Sequence, residues 1–465
     1  MSIISGRDTP FEVTVPLLVI GGGACGLVAA LAARDAGVDV VVVERDALPQ
    51  GSTSMSLGAL CASGSAEQRR HGVDDGADRF FDDVMAKTGG HADPLLARLV
   101  GARSGPTLDW LSQKHGVPLL LETGWKPAFG HSVMRMHVTP GRTGQDLMQR
   151  LLSACQAAGV DILTSAHVTD IHADGERVTG VRLGRPDGSV EDIGCQALIL
   201  ATCGFGGNAA MVRRFIPTMA DAPYFGWEGN QGEGIAWGQA LGAALADMDA
   251  YQGLGLLASP AAIDVNPRFL IEGGIQVNRL GARFAHELED VSGAGARVIA
   301  QPDGLAWVIY DQRIHESCAS LPQYVALREA GGVRQADGVA ALAALAGIEP
   351  AGLSATLAQV ATHIADGGVD AFGRRFTGPV LAPPYYAIRV TGALFHTQGG
   401  LVVDADARVQ RASGGSLPNL FAGGGAARSI GGPGPSGYLP GAGLCMAVTL
   451  GRVAGDAAAR LLAAT

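Results

Sequence analysis

Gly21, Gly23 and Gly26, spaced as G-x-G-x-x-G, and the later carboxylate Glu44 are the residues whose chemistry is clearest from type and spacing. In such a set the first glycine permits a tight turn and the second lets backbone approach a phosphate. The third lets a helix pack on a strand, and the helix N-terminus favours an anion. An acidic residue about 20 positions further on can accept bonds from ribose hydroxyls. The spacing alone is weak, and an ordinary glycine turn in an α/β sheet is the competing reading. What strengthens it is the frame: a β-branched run at Val15–Ile20, helical composition from Leu27 to Gly37, and an apolar run Val38–Val43 ending at Glu44. This frame predicts a dinucleotide site.

Glycine fingerprints do not separate FAD from NAD, so later segments must decide. Leu198 to Gly204 and Leu417 to Gly424 each read as a strand delivering small residues to a crevice, as a long cofactor spanning the domain requires. No second complete G-x-G-x-x-G unit exists for a separate nicotinamide nucleotide. These features together predict FAD.

The elements that must position these residues need a large fold. At 465 residues and 47% hydrophobic, the chain is long enough for two domains. A net charge of −10 with no basic run argues against a nucleic-acid surface. Only three lysines occur, Lys87, Lys114 and Lys126, and none lies in a motif, which leaves a Schiff-base or P-loop lysine without support. Seven cysteines form no CxxC pair, so reduced thiols in a cytoplasmic protein are expected, without a metal. The first residues lack the pattern of a secretory signal, and no apolar stretch of membrane-spanning length is seen. A soluble protein is the expectation.

Helices are expected at Asp78–Lys87, Pro94–His115 and Gly144–Ala158, strands within Val160–Gly188 with a turn at Asp187-Gly188, and a closing helix from about Leu444 to Leu462. Gly51–Ser65 is rich in Ser and Gly. Between 251 and 395 the texture changes to Gly/Pro breaks, a strand at Ala306–Tyr310 and helices near 337–346 and 351–366, which predicts an inserted second domain.

These segments, in this order, resemble the fumarate reductase and succinate dehydrogenase flavoprotein family, which includes the 3-ketosteroid Δ1-dehydrogenases and tricarballylate dehydrogenases. The likeness is carried by VIGGGACGL with VVVVERD, GSTSMSLGAL, GHSVMRMHVTPGRTG, ILATCGFGGN, GNQGEGIAWGQALGAALADMD, IQVNRLGARFAHE, PPYYAI, HTQGGLVVD and NLFAGGG through GRVAG, and it covers nearly the whole chain. It implies an α/β fold: a Rossmann-like FAD domain of the glutathione-reductase type, 1–250 plus 396–465, interrupted by an α+β capping domain at 251–395. It also implies a small-molecule substrate, an external electron acceptor or donor, and hydride exchange between a substrate carbon and the flavin. FAD contacts are then expected from Gly21, Gly23, Ala24, Gly26, Glu44 and Arg45, from Ser52, Thr53, Ser54 and Gly58, and from Val168. Further contacts are expected from Ala201, Thr202, Gly204 and Asn208, and from His396, Gly424, Gly425, Gly443 and Leu444. Gly51–Leu60 lacks the histidine that attaches flavin covalently in succinate dehydrogenases, so noncovalent FAD is expected.

Position by position, the fumarate-reductase pattern is broken. The proton-donor arginine falls on Val291, two substrate-binding histidines fall on Leu254 and Phe395, and the late arginine falls on Tyr438. Without those charges, burying two carboxylates is unfavourable. Ser436 to Gly443 instead resembles the ketosteroid-dehydrogenase loop whose tyrosine and a glycine N–H hold a ketone oxygen, although the proton-abstracting tyrosine of that branch also falls on Val291. Tyr438 is therefore the leading catalytic candidate, followed by His396, Tyr251 and Tyr385, with Tyr386 beside the last. Each tyrosine is equally readable as a packed aromatic. His131, Arg135 and His137 read either as a polar group reaching the cleft or as a solvated loop, and Glu287 as a local ion pair with Arg283. Arg374 and Arg375 read as surface residues or an anion site. The expected activity is FAD-dependent dehydrogenation of a CH–CH bond beside a carbonyl. The alternatives are enone reduction and a flavoprotein subunit for electron transfer or binding without substrate chemistry of its own.

Overall fold

In the computed structural model, which describes residues 2–7, 9–124 and 126–464, the first apolar run is the strand β1 (Val13–Ile20). Its last four side chains are buried. The helix that follows, α1 (Ala24–Asp35), begins earlier than its composition suggests, because Gly23 takes the extended N-cap conformation directly after the turn. Ten of its residues are buried, so it is a core helix enclosed on all sides and not a surface helix with one apolar stripe. The strand β2 (Val40–Val43) completes the unit.

Helix α2 (Pro94–His115) is set at its N-terminus by Asp93, whose carboxylate accepts from the Leu95 and Leu96 amides, and by Pro94 at the first helical position. It stops at Gly116 in the left-handed conformation. Helix α3 (Gly144–Ala157) is capped by Thr143. The stretch Val160–Gly188 holds β3 (His167–Asp174) and β4 (Arg177–Gly184), and the Asp187-Gly188 turn leads into β5 (Val190–Leu200). The Ser/Gly-rich stretch after β2 contains a single helical turn, Gly51–Met55, and a two-residue strand, Leu60–Cys61. The other elements that shape this region are α4 (Glu233–Ala240), β6 (Ser416–Ala422) and α5 (Ala442–Ala463).

These strands share one sheet, in the order Ser2–Ser5, β3, β4, β5, β1, β2, Asp161–Leu163, with β6 also paired to β5. The parallel register aligns four strand ends: Ile20 faces Val43 and Leu200, and Leu200 faces Ala422. The buried faces of β1, β2 and β5, with α1 and α5 against them, form one core cluster. Residues such as Leu17, Leu18, Leu27 and Leu31 are fully excluded from water, each contributing about 1.5–3 kcal/mol of burial free energy.

The chain divides into two compact units. The first comprises Met1–Ile216, Gly226–Tyr251 and His396–Thr465, and the second Pro217–Phe225 and Gln252–Phe395. Nothing in the sequence marks the short excursion Pro217–Phe225. The second unit is built on an antiparallel sheet around the strand Tyr385–Thr397, which pairs with Leu305–Asp311 on one side and Val333–Ala336 on the other. Its own core includes Phe269, Tyr310, Tyr324 and Tyr386.

Arg374, read from sequence as a surface residue or an anion site, and Glu287, read as a local ion pair, are both buried in this second unit. Arg374 is 3% exposed; its guanidinium pairs with Glu287 at 2.8 Å and donates to the Gly274 and Leu270 carbonyls. Glu287 is more than a local partner of Arg283, since Arg283 grips both of its oxygens at 2.7 Å and also pairs with Asp370. Burial pushes the Glu287 carboxyl up, but Arg283 and Arg374 outweigh it and hold it below the usual value. The surface reading fails for Arg374 because one carboxylate, Glu287, and two carbonyls satisfy a charge that the sequence shows as isolated. Arg375 is exposed and bonds the Gly367 carbonyl.

Candidate active site

Because the strand ends are aligned, the segments after them meet at one edge of the first unit's sheet. The Gly21 amide bonds the Val43 carbonyl at 2.8 Å, the Ala201 amide the Ile20 carbonyl at 2.9 Å, and the Gly423 amide the Leu200 carbonyl at 3.1 Å. A crevice outside the carboxyl ends of such strands is where open α/β sheets bind ligands. Here it is a cleft with about 850 Å³ of empty space, the open solvent at its mouth included.

Each glycine of the fingerprint has a distinct steric reason. Gly21 has φ +107°, and a Cβ there would lie 2.4 Å from the Ala201 carbonyl oxygen. A Cβ on Gly26 would lie 1.9 Å from the Gly21 oxygen, so only glycine lets α1 start this close to the turn. In front of Gly23 the space is open, with Thr53 Oγ1 at 3.6 Å as the nearest atom. Neither end of the Glu44 side chain is loose: the Gly22 amide donates to Oε2 at 2.7 Å and the Asp46 amide to Oε1 at 3.0 Å. The Ala24 amide is taken by Thr53 Oγ1 at 3.2 Å, and α1 has no side-chain cap.

Of the expected cofactor residues, Gly21, Gly23, Ala24, Glu44, Arg45, Ser52, Thr53, Val168, Ala201, Thr202, Gly424 and Gly425 line the cleft. Gly26, Ser54, Gly58, Gly204, Asn208, His396, Gly443 and Leu444 do not. Gly26 serves packing, as does Gly58, where a Cβ would meet Thr143 backbone at 2.6 Å. Gly204 makes room for Thr397 Oγ1, and Asn208 caps the helix Ala209–Phe215. Several lining residues were absent from the expected set: Cys25, Asp46, Cys203, Trp227, Asn230, Glu233 and Trp237. The segment GNQGEGIAWGQ carries part of the family resemblance and was the available signal for three of them, Asn230, Glu233 and Trp237. Arg45 links that segment to β2, donating to the Gly229 carbonyl at 2.9 Å and lying 3.7 Å from Glu233, while Trp227 Nε1 donates to Asp46 at 3.0 Å.

A family model described as an FAD binding domain matches residues 17–444. The chain belongs to this FAD-binding family. Among curated relatives, it is 28% identical over 451 residues to a probable fumarate reductase, Ifc3, of Shewanella frigidimarina (strain NCIMB 400), covering 96% of this chain and 75% of the relative. The fold superposes on the open conformation of a flavocytochrome c3 fumarate reductase with TM-score 0.83 and 28% identity, over 97% of this chain and 79% of that one. It superposes on the 3-ketosteroid-Δ4-(5α)-dehydrogenase of Rhodococcus jostii RHA1, in complex with 4-androstene-3,17-dione, with TM-score 0.80 and 26% identity, over 98% and 99% of the two chains. The family and these relatives make the chain an FAD-dependent oxidoreductase of the fumarate reductase and ketosteroid dehydrogenase type. The cleft fits that cofactor. The open approach at Gly23, the N-terminus of α1, which has no N-cap side chain, and the oriented Glu44 suit pyrophosphate and ribose.

A second group of expected residues gathers around the start of α5. Tyr438 is 8% exposed, and its ring meets the half-buried His396 imidazole edge-to-face at 5.7 Å between centroids. A Cβ at Gly443 would come within 3.0 Å of that imidazole, so the ring rests on the first turn of α5. Burial pushes the Tyr438 phenol well up from its ordinary value, against the pull of hydrogen bonds from the Gly441 and Gly443 backbone. It therefore stays a proton donor. Burial pulls His396 down to about 4, so the imidazole is neutral near pH 7. Tyr251 is buried at the start of the strand Tyr251–Ala258. Tyr385 belongs to the second unit, where its hydroxyl donates to the Leu381 carbonyl at 3.5 Å, and Tyr386 stacks on Tyr310.

His131, Arg135 and His137 form no solvated loop. All three are buried. Arg135 holds Asp75 through two bonds of 2.7 and 2.8 Å and also pairs with Asp83, and His137 bonds Ser65 Oγ and the Arg135 carbonyl at 2.7 Å each. His131 Nε2 donates to the Pro440 carbonyl at 3.0 Å, which bolts this buried brace to the Tyr438 loop. Desolvation holds His131 down at about 4. Among the described residues no cluster of His, Cys, Asp or Glu is placed to hold a metal ion, and no helix is long and apolar enough to cross a membrane.

Proposed function

We propose that the chain is an FAD-dependent dehydrogenase that introduces a carbon–carbon double bond beside a carbonyl group. In this reading the first unit is the FAD domain and the second a capping domain for the substrate. The observation that carries it is the Tyr438 phenol at the N-terminus of α5, beside the Gly441 and Gly443 amides and a neutral imidazole. A protonated phenol and the positive end of a helix favour an oxygen that gains negative charge, as a ketone oxygen does when its α-proton leaves. Removing one such donor from an acyl-transfer site costs about 10²–10³ in rate, which sets the scale expected here.

FAD, when bound, supplies two-electron acceptor chemistry. The chain's own residues hold it and polarise the substrate: Glu44 is set for ribose hydroxyls, Gly21 to Ala24 for pyrophosphate, and Tyr438 for the carbonyl oxygen. Noncovalent FAD is supported by the thiol state of the two cysteines in the cleft. Burial pushes Cys25 up to about 12 and raises Cys203 as well, so neither is a thiolate nucleophile. The seven free cysteines suit a reducing, cytoplasmic compartment.

Reduction of an enone is the second reading, favoured by the name of the Shewanella relative. The same donors would serve it, because the carbonyl oxygen gains charge in either direction. The test is anaerobic mixing of FAD-loaded protein with saturated ketones and, after reduction, with enones and dicarboxylates, following flavin absorbance. Bleaching by a saturated ketone is expected. If no carbonyl compound bleaches or reoxidises the flavin, both enzyme readings fall and a binding or electron-transfer subunit remains.

A further inference from the structure

Arg428 lies ten residues before Tyr438 and contacts none of the candidate residues directly. Its side chain is 17% exposed and bridges two carboxylates: Nε donates to Asp247 Oδ2 at 2.6 Å and Nη1 to Asp93 Oδ2 at 2.6 Å. The other oxygen of Asp93 caps α2, so this carboxylate is fixed from both sides. Asp247 has φ +51°, a conformation uncommon for a residue with a side chain, and its carbonyl accepts the Ala250 amide at 2.8 Å.

From this bridge a continuous series of backbone bonds runs to the strand that bears His396. The Gln398 amide bonds the Ala250 carbonyl at 2.8 Å, the Ser429 amide bonds the Gln398 carbonyl at 2.9 Å, and the Arg428 amide bonds the Leu401 carbonyl at 2.9 Å. The segments 247–250, 396–401 and 427–429 thus share one network inside the first unit. Two of them lead straight to the points where the chain leaves that unit, after Tyr251, and returns to it, at His396.

We propose that Arg428 is a positioning residue: through Asp247 and Asp93 it holds the 247–250 turn and the His396 strand in place, and so keeps His396 against Gly443 and Tyr438. A lysine could not replace it, since the guanidinium reaches two carboxylates in different directions with separate nitrogens, whereas an ammonium acts as a point charge. The effect on rate rests on the dehydrogenase reading above; the effect on structure does not.

The experiment compares FAD-loaded wild type with Arg428→Lys, Arg428→Gln, Asp247→Asn and the double variant Arg428→Gln/Asp247→Asn. Hydrogen exchange read by mass spectrometry is expected to rise in segments 244–251, 396–402 and 436–443 of Arg428→Gln, with the rest of the sheet unchanged. With an active ketone, kcat is expected to fall about tenfold or more, with KM changed less than threefold and FAD affinity within twofold. The double variant should be no slower than Arg428→Gln, since the two residues act as one unit. Exchange unchanged in the His396 segment, exchange raised uniformly across the chain, or FAD lost in step with the rate would each overturn the proposal. If wild type turns over no ketone, the exchange pattern alone decides it, separately from the failure of the dehydrogenase reading.

Discussion

At the scale of single residues, the proposed chemistry concentrates in Glu44, Tyr438 and His396. Glu44 is held at both oxygens by backbone amides, so its carboxylate is already oriented before any ligand arrives. Glu44→Ala should weaken FAD binding roughly 10- to 100-fold, the worth of a hydrogen bond to a charged group, and fluorescence titration with FAD would measure it. Tyr438→Phe removes only the hydroxyl from a site whose ring stays packed on His396. Flavin reduction by an active ketone should slow about 10²- to 10³-fold with FAD retained, and a rate within threefold of wild type would remove Tyr438 from the mechanism. Glu44 was legible in the sequence because a strand end fixes its place. Tyr438 was legible only through a resemblance, since its value depends on Gly441, Gly443 and His396, and a phenol in a glycine loop looks the same in a purely structural role.

At the scale of elements, close approach decides what the glycines do. The Gly26 position leaves no room for a methyl group against the Gly21 oxygen. Gly26→Ala is expected to force α1 away from the turn, costing about 1–3 kcal/mol and lowering both the urea midpoint and FAD content. Gly443→Ala is a milder case, because the atoms it would crowd at 3.0 Å belong to one imidazole ring that can tilt. This variant should fold and bind FAD while its ketone-dependent rate falls, which stopped-flow absorbance would show. The βαβ start, α2, α3 and the closing helix were readable from periodicity and caps. The long strand Tyr385–Thr397 was not, because its burial pattern comes from neighbours on both sides and does not alternate simply.

At the scale of the whole molecule, buried charge and buried neutral histidine set the response to pH. His131 and His396 are both displaced from 6.5 to about 4, so between those values the unfolded chain binds more protons than the folded one. Their contribution is full above pH 6.5 and is lost as pH falls toward 4, roughly 3 kcal/mol each at the limit. Urea unfolding at pH 7 and pH 4.5 should show this loss, and His131→Gln should reduce it. Asp192, held at about 2 mainly by Arg182, acts in a lower window and does not obscure it. The sequence by itself determined the cofactor class, because a glycine turn between two apolar runs is a local pattern, and a long change of texture led to the expectation of an inserted second domain. Only the tertiary structure decided that Arg135 and Arg374 are buried braces, that Trp227 and Trp237 line the cleft, and that Arg428 ties two distant segments together. Those roles depend on which carboxylates, carbonyls and rings arrive from tens to hundreds of residues away, and chain spacing carries no record of that.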